Sequence, residues 1–219
     1  MKTLATLAAF LLLGLVLSVT AADGVGKVGE KWIYQHEGTR PLSNPPAAIR
    51  GDRTNEVIAV KGEAANKRWL LKHVWGEKDE NPGILHLDAE NRLHQVDVGT
   101  SLNLTFTPPV PMEWAELKSG EQKTYESKMA VAGFEVPLKY EANRLPDETV
   151  RVPAGEFTLC RHIQVVVHGT DAQGQPSKSR SDYWFHPKAN GLVKEITISN
   201  YDTDAKQTST STLKTHSAP

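Results

Sequence analysis

Cysteine is almost missing from this sequence: Cys160 is the only one in 219 residues. A single thiol closes no disulfide within the chain, so packing alone must hold the fold together. Cys160 sits in a β-like run, where its structural reading is burial as a small hydrophobe; a reactive or intermolecular thiol is the alternative. A charge excess is missing too. The 25 Lys and Arg against 26 Asp and Glu leave a formal net charge of −1, and no basic run exceeds two residues. Nucleic-acid binders carry a basic excess or patch, so no nucleic-acid partner is expected. Beyond the N-terminus the chain lacks a long apolar repeat at i, i+3, i+4, i+7; the best helix candidate, Glu113 to Leu117, is short. There is no G-x-S-x-G elbow, no glycine-rich phosphate loop and no zinc-type pairing of Cys or His on a helix.

The one long hydrophobic run lies at the start. Lys2 precedes an almost wholly apolar stretch from Leu4 to Val19, and small residues follow at Thr20, Ala21 and Ala22. This is the pattern of a secretory signal peptide over residues 1–22, with cleavage after Ala21 or Ala22. The run is near the lower limit for crossing a bilayer, so a retained anchor is the alternative. No Cys follows it to carry a lipid. Residues 23–219 then form one exported domain, large enough for a single substantial core, with no stable membrane span after processing. The expected location is periplasmic or secreted.

What the chain does have is period-two alternation. Phe134, Val136, Leu138, Tyr140 and Ala142 alternate with Glu135, Pro137, Lys139, Glu141 and Asn143. Leu102, Leu104 and Phe106 form a similar series, as do Tyr125, Met129 and Val131. Phe157, Leu159, Ile163, Val165 and Val167 share one parity, with Cys160, His162 and His168 on the other. Turn signals separate the runs: Asp88 to Asn91, Gly169 to Ser177, Asn190-Gly191 and Asp202 to Asp204. Val57–Val60 and Trp69–Trp75 read as a further pair. Roughly ten strands joined by short hairpins predict a mainly β fold, an antiparallel sheet curled into a barrel, half-barrel or sandwich. The pattern K-x-G-E-x-x-x-Y occurs twice, from Lys27 to Tyr34 and from Lys118 to Tyr125. It suggests two similar halves, 27–107 and 118–215, with Pro108, Pro109 and Pro111 as a hinge between them.

Val152, Pro153, Ala154, Gly155 and Phe157, then Tyr183, Trp184, Gly191, Leu192, Val193 and Lys194, resemble the V-P-A-G-x-F turn and Y-W…G-L-V-K hairpin of a group of bacterial exported proteins of unknown function. Gly29, Glu30, Trp32 and Tyr34 fit the same group's G-E-x-W-x-Y piece. The resemblance implies an extracytoplasmic β-rich fold, similar to the open half-barrels of lipoprotein carriers, and carries no catalytic residues. Many such proteins are lipoproteins; this chain departs from them in lacking the lipid-bearing Cys. The motifs also have a purely structural reading, since Pro153 fixes φ, Gly155 permits positive φ, and Phe157 anchors the strand that follows.

The chemical candidates are weak. Eight histidines are scattered; His86, Asp88 and His94 could meet across a turn, whereas His162 and His168 lie about 20 Å apart along a strand. Cys160 and His162 are roughly 6–7 Å apart on one strand face, too far for a direct thiolate pair. Ser43, Ser119 and Ser181 lack a recognisable setting. Glu113 with Glu116, and Asp202 with Asp204, read as exposed surface carboxylates rather than a glycosidase pair. Asn103, Leu104 and Thr105 match a glycosylation sequon. Trp32, Trp69, Trp75, Trp114 and Trp184 could stack on sugars or peptides, but core use is the default. The Ser/Thr-rich segment Thr208 to Thr215 could be an edge strand that pairs with a partner. No catalytic, cofactor-binding or metal residue is therefore assigned, and no cofactor is expected. The leading reading is a non-enzymatic binding or scaffolding protein of the bacterial envelope, with an unknown protein as partner. A carrier of a lipid or other apolar small molecule in a half-barrel cavity comes second, and a hydrolase third.

Overall fold

The alternating runs become the staves of one closed barrel. The computed structural model describes residues 25–40, 47–63, 66–76, 82–100, 102–170, 174–203 and 206–219. The signal-peptide segment and Ser43 lie outside the described residues. Twelve antiparallel strands follow one another: β1 (Lys31–Arg40), β2 (Ala47–Lys61), β3 (Arg68–Trp75), β4 (Gly83–Leu87), β5 (Arg92–Val98), β6 (Leu102–Pro111), β7 (Gln122–Val131), β8 (Phe134–Val152), β9 (Gly155–Thr170), β10 (Pro176–His186), β11 (Gly191–Ser199) and β12 (Gln207–Ser217). Each strand pairs with its neighbours in sequence, and β1 pairs with β12, from Lys31↔Ser217 to Glu37↔Thr210, to close the ring. The fold is thus the barrel among the shapes expected, not the open half-barrel that the family resemblance implies. The short helix candidate Glu113–Leu117 forms no helix; this stretch is a turn in the β6–β7 connection.

Side chains of one parity point inward, as pleating requires. Leu71, Leu85, Val96, Leu104, Met129, Leu138, Ala142, Ile163 and Val165 make an apolar lining. Leu159, expected on that face, instead points out and is 73% exposed. It adopts φ 58°, which interrupts the alternation of β9, and Cys160 is buried in its stead. Pro108 and Pro109 are not a hinge but part of β6. The β6–β7 ladder ends at Thr107↔Lys128, where prolines that lack an N–H begin. Beyond that point Ser127 Oγ and Tyr125 OH donate to the carbonyls of Pro108 (2.7 Å) and Pro109 (2.6 Å).

The two K-x-G-E segments form the same turn. In the first, Lys27 N donates to Glu30 Oε2, Glu30 N to Lys27 O, and Gly29 N to Val57 O, while Val57 N donates back to Glu30 O. In the second, Lys118 N donates to Glu121 Oε2, Glu121 N to Lys118 O, and Gly120 N to Arg144 O, while Arg144 N donates back to Glu121 O. Gly29 (φ 90°) and Gly120 (φ 83°) occupy the left-handed region that a side chain disfavours. Each turn launches a strand and clips it to the next stave.

The end of the barrel where β1 begins is packed shut. Val25, Met112, Trp114, Leu117 and Ala189 are buried there. Trp32 Nε1 donates to Ala189 O (2.9 Å) and Trp69 Nε1 to Gly26 O (3.1 Å). Glu30 accepts from Asn190 Nδ2 (2.6 Å) and bonds His216 Nε2 (2.8 Å), tying the first strand, the last strand and the β10–β11 turn together. The closing seam is tightest at Gly38, where an added Cβ would stand 2.3 Å from Ser209 Cβ and 2.6 Å from its Cα, with φ at 150°. Gly38→Ala should therefore destabilise the barrel by at least about 1–3 kcal/mol, the usual cost of a strained backbone position, with the collision added. A urea unfolding midpoint unchanged from wild type would show that the seam is not packed this way.

Candidate functional site

Inside the barrel the lining changes character with direction. On β4 to β9 it is mostly apolar, with Ser127 and Arg144 as buried polar exceptions; on β1 to β3 and β10 to β12, toward the end away from the plug, it carries Arg53, Asn55, His36, His73, Glu195 and Ser211. The centre of that sector is Arg53, on β2 and 1% exposed, whose Nη1 donates to Glu195 Oε2 of β11 at 2.6 Å. The guanidinium carbon lies 4.7 Å from the Tyr34 ring centre and 5.9 Å from that of Trp75. Around it sit His36, whose Nδ1 bonds Ser211 Oγ (2.8 Å), Asn55, whose Oδ1 bonds His73 Nδ1 (2.8 Å), and Ser181, whose Oγ bonds Thr197 Oγ1 (2.9 Å). Burial raises the Glu195 carboxyl even against Arg53. Burial, and then the Arg53 charge, pushes His36 down to about 3, so its imidazole is neutral at ordinary pH. The Ser211–His36 contact has the residue types of a nucleophile and base, but His36 is a poor base there and both groups are sealed inside.

A second buried acid sits in the plug. Glu113, expected as a surface carboxylate, is 6% exposed and accepts from Asn91 Nδ2 (2.5 Å) and Arg161 Nη2 (3.1 Å). Burial drives it up to about 7, with Arg161 opposing. Its supposed partner Glu116 bonds Lys123 on the surface instead. The aromatic rings of Trp114, Tyr125 and Tyr140 close the same region.

The outer wall carries a third cluster. The β8–β9 hairpin runs past the end of β10, and at its V-P-A-G turn Ala154 N donates to Leu213 O of β12 (3.0 Å). His162 lies between two carboxylates, Glu148 at Nδ1 (3.1 Å) and Asp182 at Nε2 (3.0 Å), and stacks on Trp184 at 4.4 Å. Trp184 Nε1 also donates to Glu148 (3.1 Å). Register places Tyr183 inward and Trp184 outward, yet both are buried, because this arrangement covers the outer face of β10.

The remaining sequence candidates separate. His94 bonds Asp88 (2.8 Å) while His86 bonds Asp97 (2.8 Å), so the three-ligand set His86, Asp88 and His94 is not assembled. Asp88 caps its own turn, accepting from Glu90 N and Arg92 N. His168 pairs with Glu141 (3.3 Å), far from His162 along β9. Cys160 donates to Phe157 O rather than to His162, and burial pushes its thiol up to about 11. Asp202 pairs with Lys178 (3.2 Å), and Asp204 is outside the described residues. An open cleft of about 670 Å³ lies across β6 to β9, with Lys128, Lys139 and His168 on its rim. Each of these side chains has an acid beside it: Glu135 for Lys128, and Glu141 for Lys139 and His168. Among the described residues no group of three His, Cys, Asp or Glu is placed to hold a metal ion, and no helix is long and apolar enough to cross a membrane.

Two stability effects follow. The folded chain holds the Glu113 proton more tightly than the unfolded chain, whose value is near 4.5. The contribution from Glu113 is therefore fullest below about pH 4.5 and is lost as pH rises through about 7. Glu113→Gln should flatten stability across that window, read from denaturant midpoints at successive pH values; an unchanged profile would mean Glu113 does not titrate there. Removing one partner of a buried ion pair leaves the other uncompensated, so Arg53→Met should cost about 3–5 kcal/mol. Adding Glu195→Leu to that variant should recover part of the loss, and a double variant no more stable than Arg53→Met would refute the pairing.

Comparison with known proteins places the architecture. No family model matches the chain, and no curated protein matches it. A Bacteroides fragilis protein described as exported, with a YmcC-like fold, superposes with a TM-score of 0.57 at 12% identity, covering 89% of this chain and 98% of its own. A Parabacteroides distasonis protein described as a lipoprotein gives a TM-score of 0.50 at 10% identity, covering 90% and 100%. At such identities the likeness is one of fold.

Proposed function

We propose that this chain is a non-enzymatic binding protein of the bacterial envelope, working as a rigid closed barrel rather than as an apolar-ligand carrier or a hydrolase. The observation that carries this reading is the occupied interior. Trp32, Tyr34, Leu71, Leu85, Leu104, Met129, Ile163 and Tyr183 are all inward and nearly without exposure. Acyl chains need a dry, enclosed cavity of several hundred cubic ångströms; among the described residues these side chains fill the middle of the ring, and the cleft across β6 to β9 is open to solvent. The hydrolase reading loses ground because the ionisable clusters are closed on themselves: Arg53 with Glu195, Glu113 with Arg161, and His162 with Asp182 and Glu148. An envelope location is supported by the signal-type N-terminus and by fold likeness to a protein described as exported and another described as a lipoprotein.

Native mass spectrometry of the protein purified from its exported compartment tests the reading. The expected species begins at Ala22 or Asp23 and carries no adduct of lipid mass. A lipid-sized adduct released on denaturation would overturn it in favour of the carrier.

A further inference from the structure

The polar sector of the barrel contains hydrogen-bond donors that no described residue accepts. Arg53 gives Nη1 to Glu195 and leaves Nε and Nη2 without a partner. Asn55 turns Oδ1 to His73 and leaves Nδ2. His36 uses Nδ1 on Ser211 and leaves Nε2, which is a donor in the tautomer where the Ser211 hydroxyl donates to Nδ1. All four atoms are sealed from solvent. An unmet buried donor costs about 1–3 kcal/mol, so a group of them on three neighbouring side chains calls for an acceptor among them. Nε and Nη2 form one edge of the guanidinium, the edge whose two parallel N–H bonds match both oxygens of a carboxylate. The rings of Tyr34 and Trp75 brace the guanidinium.

We propose that this sector is a binding site for a small planar carboxylate, held by the Nε–Nη2 edge of Arg53 with Asn55 Nδ2 and His36 Nε2 as further donors. The site goes beyond the envelope-binding reading and does not depend on it. The titratable and charged groups that face it are Tyr34 and His36 from β1, Arg53 from β2, His73 from β3, Tyr183 from β10 and Glu195 from β11. Arg53 and Glu195 already cancel, so an entering anion leaves one uncompensated negative charge in a buried place. Binding therefore takes up a proton, with Glu195 as the group that accepts it.

The test is titration of acetate and formate into the folded protein at constant ionic strength, with sulfate as a tetrahedral control, followed by calorimetry and by the Arg53 Nε–H resonance. Acetate is expected to bind saturably, to shift that resonance, and to tighten about tenfold for each unit fall in pH, the signature of one proton taken up. Glu195→Gln keeps an acceptor for Nη1 and removes the competing charge; it should bind more tightly and without the pH slope. Arg53→Lys, checked as folded by its amide spectrum, should weaken binding by at least about tenfold, the loss of one charge-assisted bond. Absence of saturable acetate or formate binding in both wild type and Glu195→Gln would overturn the proposal and leave buried water as the acceptor. Sulfate binding as tightly as acetate, or acetate binding unchanged in Arg53→Lys, would overturn it as well. Should Arg53→Lys fail to fold, the resonance shift and the Glu195→Gln titration decide.

Discussion

The antiparallel pairing of β1 with β12 is the contact on which everything else depends. It joins residues near the two ends of the described chain, Lys31 with Ser217, and turns an open twelve-strand meander into a ring. An open sheet would present a row of unpaired backbone groups at each edge. Closure removes those two edges and creates an inside. The close approach of Gly38 to Ser209 lies in this seam, and Glu30, bonded to Asn190 and His216, anchors one end of it. Burial works against the Glu30 carboxylate, but the hydrogen bonds from Asn190, Lys27 N–H and His216 outweigh it and hold the acid below its ordinary range. The seam is thus fastened by a charge-assisted network at one end and by steric fit toward the other.

Closure also decides what burial means for each side chain. In an open sheet, Arg53 and Glu195 would sit on a wet face and be worth little to each other. In the ring they face across a shared interior at 2.6 Å, where desolvation is costly and must be offset by good geometry. The apolar staves β4 to β9 and the polar staves on the other side consequently behave differently: one side packs by shape, the other by pairing. Such a polar sector fixes strand register, since a one-residue slip would turn Arg53 and Asn55 outward and their neighbours inward. The repeated K-x-G-E turns set register from the opposite direction, clipping β1 to Val57 and β7 to Arg144 by matching bonds. The same turn thus starts two strands six apart, β1 and β7.

The distribution of ionisable groups bears on function more than the fold does. Barrels host many activities, and a likeness at 12% identity transfers architecture alone. Here the carboxylates and histidines that could do chemistry have settled into pairs within the wall, the plug and the β8–β9 overhang. Among the described residues, several buried polar atoms still lack a partner, and Arg53 Nε and Nη2, Asn55 Nδ2 and His36 Nε2 lie together in one sector.

Much of the architecture is legible in the residues themselves. Period-two alternation marks β6, β7 and β8; Asp88 to Asn91 and Asn190-Gly191 mark turns that form where they are expected. These signals are local, because pleating and turn geometry depend on near neighbours. The misreadings have equally local causes: the positive φ of Leu159 breaks its strand's parity, and the prolines of β6 read as a hinge although they only end a ladder. The site was not legible. Arg53 and Glu195 are 142 positions apart and look like ordinary polar residues in their strands, and Glu113 looks like surface. The sequence by itself determined that this is a chain of antiparallel strands joined by short turns. Whether a given face is wet or buried was decided only when β1 met β12, because solvent exposure belongs to the closed ring and not to any one strand.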